Sequence, residues 1–150
     1  MSILAPPTLT GFISWAQSVM GITTTIMTED DPGWNYYFTF ANYAVSQQLS
    51  VVDPDIYTIA IYNWGGSLLL QFQQDYEGQV FFTEARTAYG INAFYAGPIS
   101  DSSDESTNAT YTVGMGLSNL DATSLQRIKD PYGRTAIALS QQIGTLWGLT

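Results

Sequence analysis

The Asp-Pro pairs Asp31-Pro32 and Asp53-Pro54 each open a stretch whose apolar residues repeat with helical period. An aspartate at the cap position offers its carboxylate to the first free N–H groups of a helix. Proline in the first turn gives up only an N–H that would have no partner there. After Pro32, residues Trp34, Tyr37, Phe38, Ala41, Ala44 and Val45 form a single wide apolar face. After Pro54 a longer helix is expected, reaching roughly Tyr76. Ile56, Ile59, Ala60, Trp64, Leu68 and Phe72 make one stripe of it, while Tyr57, Ile61 and Leu69 lie on other faces. A helix that is apolar all round is buried on several sides. Gly65-Gly66 in its middle lowers helix propensity, which predicts close approach by a neighbouring helix.

The remaining chain follows the same logic. A first helix is expected from about Thr10 to Met20, with Leu9, Phe12, Ile13, Ala16 and Val19 at helical spacing. Thr8 or Thr10 caps it and Gly21 ends it. Pro6-Pro7 should be extended, residues 23–27 a connector, and Glu29-Asp30-Asp31 a group of acids favoured at a helix start. Phe81 to about Tyr89 reads as a shorter helix ended by Gly90. From Gly97 the texture changes. The acidic, serine-rich run 101–108 reads as a loop, Ala109 to Val113 alternates like a strand, and Gly114-Met115-Gly116 ends it. Residues 97–117 therefore form an excursion, an extended loop or β-hairpin arm. Helical signals return over Asp121–Ile128 and from Gly133 to about Ile143, ahead of a tail, 144–150. The fold class expected is mainly α: one domain over 1–150, with a helical core at about 8–90, the arm at 97–117, and C-terminal helices and tail at 121–150.

Composition narrows the chemistry. The chain has 150 residues with no cysteine and no histidine. Triads that need an imidazole base are excluded, and zinc sites lose their usual ligands. Lys129 is the one lysine, so Schiff-base chemistry would rest on it alone. The uncharged stretch Ile56–Gln74 carries Asn63, Gln71, Gln73 and Gln74, which suits a buried helix better than a membrane span. Met1 to Pro7 has no basic cluster ahead of an apolar run, unlike a secretory signal. The expectation is a soluble, cytoplasmically made chain with no membrane contact. Formal net charge is −9, from 13 acids against Arg86, Arg127, Lys129 and Arg134. Such a surface repels a phosphate backbone. Aromatics make up 14% of residues and charged residues 11%, a balance that suits either protein–protein contact or a dense core.

Two chemical alternatives survive on paper. Asp101, Asp104 and Glu105 supply oxygen ligands, but their spacing lacks the alternation and glycine of an EF-hand loop, which favours a solvated turn. Asp75, Glu77 and Glu84, with many aromatics, allow a glycoside-hydrolysing or carbohydrate-binding reading, although nothing in the pattern sets two of them across a cleft. Asn108-Ala109-Thr110 matches a glycosylation acceptor, a tripeptide common by chance. No phosphate-cradling glycine loop occurs. The expectation is that the protein is not an enzyme and takes neither cofactor nor metal.

Tyr95-Ala-Gly97-Pro98-Ile99-Ser100, its acidic continuation to Glu105, and Asp130-Pro131-Tyr132-Gly133-Arg134 resemble the small neck proteins of tailed bacteriophages, the head–tail connectors or adaptors. The layout of helices agrees over most of the chain, and the motif likeness covers the two segments quoted. The acidic 101–108 run and the Leu146-Trp147-Gly148-Leu149 tail depart from the family pattern. The resemblance implies a structural virion protein, synthesised in the bacterial host cytoplasm and incorporated in the neck. It implies a ring of about twelve copies beneath the portal, joining head to tail and lining part of the DNA channel. Partners would be further copies of the chain, the portal protein and the next neck or tail component, with double-stranded DNA passing unbound. On this reading Ile99, Asp101, Asp104, Glu105, Tyr111 and Val113 belong to an intersubunit arm. Tyr132, Arg134, Leu146, Trp147 and Leu149 contact the portal or neck. Another virion component, such as a tail-completion, decoration or capsid-associated protein, is the alternative. For Pro131-Tyr132-Gly133 a plain structural role in turning into the last helix is the stronger expectation.

Overall fold

A computed structural model describes residues 6–93, 101–104, 107–110 and 127–143. Their architecture is mainly helical. Helix α1, Leu9–Trp15, begins where Thr8 Oγ1 accepts the Gly11 N–H at 3.0 Å. Its continuation, Ala16–Met20, winds as a π turn and stops at Gly21, whose φ of 74° is left-handed. The expected uninterrupted α-helix is thus corrected in its last turn. The wider winding brings Met20 into the core with Phe12 and Ala16, and Val19, expected on the apolar face, is exposed.

Helix α2, Pro32–Ala44, starts as anticipated, with Asp31 Oδ1 accepting the Gly33 N–H at 2.7 Å. Trp34, Tyr37 and Ala41 are buried, and the Trp34 indole donates to the Thr28 carbonyl at 2.9 Å. A short helix α3, Gln48–Val52, follows; no periodic signal marked it, and it holds one buried side chain, Leu49. Helix α4, Pro54–Phe72, is capped by Asp53, whose Oδ1 accepts the Ile56 N–H at 3.0 Å. It is the central element: α2 packs on it, and so does the last helix, α6, Pro131–Ile143. Residues on every face of α4 are buried, including Tyr57, Ala60, Ile61, Trp64, Leu68, Leu69 and Leu70. Ile59 and Phe72, which belong to the expected stripe, are exposed instead.

Helix α4 ends four residues short of Tyr76 because its last carbonyls find another partner. The buried Arg86 guanidinium donates from Nη1 to the Leu70 carbonyl at 3.2 Å and to the Gln73 carbonyl at 2.7 Å. Charge-assisted bonds of this kind satisfy a helix end and favour it through the dipole. Replacing Arg86 with methionine keeps the stem and removes both bonds. Urea unfolding should then show a loss of about 2 kcal/mol.

Arg86 lies on helix α5, Phe81–Ala88. Its cap comes from outside the local sequence: Asp75 accepts the N–H groups of Phe82 (2.7 Å) and Thr83 (2.9 Å) and the Thr83 hydroxyl (2.6 Å). Partial burial alone would raise the Asp75 pKa, but these bonds and the nearby Arg86 charge outweigh it and hold the carboxyl below its ordinary 3.8. A carboxyl depressed on folding stabilises fully above its unfolded value, and that contribution is lost as pH falls through the folded one. Asp75→Asn should therefore cost about 1 kcal/mol near pH 6. The gap from wild type should close as pH drops below 3.8, as read by chemical unfolding across pH.

Gly65 and Gly66 receive the close approach expected of them, through rings. A Cβ on Gly65 would lie 2.8 Å from the Phe12 ring, and one on Gly66 2.9 Å from the Trp15 ring. Phe12 is fully buried and also meets Trp34 edge-on at 5.9 Å between centroids, Phe38 at 5.8 Å and Tyr62 at 5.8 Å. Flat aromatic faces against bare backbone weld α1, α2 and α4.

In the region anticipated as a loop and strand, the backbone of β1, Asp101–Asp104, pairs antiparallel with β2, Thr107–Thr110. The pairing begins earlier than expected, within the acidic run itself. The expected helix Asp121–Ile128, apart from its last two residues, and the tail 144–150 lie outside the described residues. Among those described, no helix is long and apolar enough to cross a membrane.

Candidate assembly surfaces

The Asp130–Arg134 motif builds the junction that seats α6 on α4. Asp130 is fully buried; its Oδ1 accepts the Gly133 N–H at 2.7 Å and caps α6, while its Oδ2 accepts the Ser67 hydroxyl of α4 at 2.8 Å. Gly133 is pressed so close to the preceding chain that an added Cβ would stand 2.1 Å from the Arg127 carbonyl oxygen. The Arg127 guanidinium carbon sits 3.8 Å above the Trp64 ring, a cation–π contact. Tyr132 sets its ring edge-on against Trp15 at 5.6 Å. The structural role expected for Pro131-Tyr132-Gly133 is visible in these contacts. Arg134 is exposed and donates to the carbonyls of Ile128 and Lys129 at 3.4 Å each.

The positive side chains are largely consumed by the fold. Arg86 and Arg127 are buried, and the Lys129 ammonium donates to the Ala93 carbonyl. With net charge −9, this leaves the exterior short of cations. Two copies therefore repel one another over most directions of approach.

Two features break that pattern. No charged residue occurs between Asp31 and Asp53, and α2 lies wholly within this interval. On its face turned from the core stand Tyr36, Phe40 and Tyr43, exposed to 65%, 48% and 88%. A shallow groove runs between the rows Pro32–Tyr36–Phe40 and Asn35–Thr39–Tyr43. The second feature is a concave pocket of about 300 Å³ at the C-terminal end of α4. Met20, Leu70, Phe81, Ala85 and Ala88 supply its apolar lining; Glu84, Tyr89 and Tyr132 supply its polar groups. Burial, with Tyr89 and the Asp130 carboxylate adding to it, pushes the Tyr132 phenol above its ordinary pKa, so it stays a neutral hydrogen-bonding group at physiological pH.

Of the residues singled out from sequence, Tyr132 reaches this pocket and Arg134 lies two residues beyond it on α6. Asp101 and Asp104 occupy the ends of β1, opposite Thr110 and Thr107. Ile99, Glu105, Tyr111, Val113, Leu146, Trp147 and Leu149 lie outside the described residues. Asp75 is committed to capping α5, and among the described residues no group of three or more acidic side chains is placed to hold a metal. The α2 row was missed in the sequence although its spacing of four and three residues is helical; the larger stripe of Trp34, Tyr37 and Ala41 on the same helix dominates the pattern. The pocket has no local signal, since its walls come from segments far apart in the chain. Family models, curated proteins and solved structures were all compared with the chain, and none matches.

Proposed function

We propose that this protein is a structural component of a tailed-phage particle, a neck connector that gathers as a ring beneath the portal, joins head to tail and forms part of the channel for DNA. The observation that carries the assembly part of this reading is the charge-free aromatic face of α2 on an otherwise acidic chain, since exposed aromatics of this kind mark contact surfaces. The neck assignment rests on the Asp130–Arg134 motif and the Gly97–Glu105 segment that resemble connector sequences. The acidic exterior suits a passage that DNA must leave without being held. On the same reading, residues 97–117 act as an arm toward the adjacent copy, and the tail 144–150 contacts the portal or the next neck component.

Gold-labelled antibody against the purified chain, applied to intact particles under the electron microscope, tests the assignment. Label at the head–tail junction supports it. Label over the capsid or along the tail shaft would move the protein to another virion component, and particles without label would remove the virion reading.

A further inference from the structure

We draw no further inference here: the strongest candidate, the exposed aromatic groove along α2 at Tyr36, Phe40 and Tyr43, carries none, because nothing in the structure shows what covers it.

Discussion

Gly133→Ala should lose about 3 kcal/mol or more and release α6 from α4, although it adds one methyl group. The new Cβ would lie 2.1 Å from the Arg127 carbonyl oxygen and 2.9 Å from Ser67 Oγ. The first neighbour is backbone, so relief requires moving the chain before α6 and not merely turning a side chain. That movement pulls on Asp130, which holds both Gly133 and Ser67. It also disturbs Arg127 over Trp64. Overpacking that cannot relax through rotamers falls at the upper end of such costs. Hydrogen exchange should show fast amides in Ala136–Ile143 at denaturant levels where α4 remains protected. An alanine variant with wild-type stability would mean that the junction is looser than these distances state.

Phe12→Ala should cost about 4 kcal/mol, lowering the thermal midpoint by about 10 °C. Phe12 is fully buried and is the ring on which α1, α2 and α4 converge, touching Trp15, Trp34, Phe38 and Tyr62. The cavity cannot collapse easily, because Gly65 opposite has no side chain to move into it. Phe12→Leu should recover part of the loss, since it restores volume without the flat face that Gly65 receives. Calorimetry of both variants checks the order: wild type above leucine above alanine. Equal midpoints for leucine and wild type would show that ring shape does not matter against Gly65.

Helix caps were legible in the sequence where they are written locally. Asp31-Pro32 and Asp53-Pro54 place a carboxylate and a proline within one turn, and both caps formed. Gly21 likewise closed its helix in the left-handed conformation. Features that depend on tertiary partners were not legible. The π turn after Trp15 follows from what Met20 packs against, the end of α4 is set by an arginine on the next helix, and Asp75 caps a helix from several residues away. The acidic run after Gly97 reads as a loop by composition, because serine and aspartate favour turns; backbone pairing between Asp101–Asp104 and Thr107–Thr110 overrides that preference. For the candidate surfaces, Tyr132 was legible through its motif. The pocket around it was not, because it combines α5, α6, the π turn and the end of α4.

On the proposed function, the chain assembles with copies of itself on a portal. The most direct test is the mass, by light scattering, of the complex formed when the purified protein is mixed with phage portal rings. A saturable complex carrying a fixed number of copies per portal is expected. A protein that stays monomeric, with the portal peak unchanged at any ratio, would contradict it.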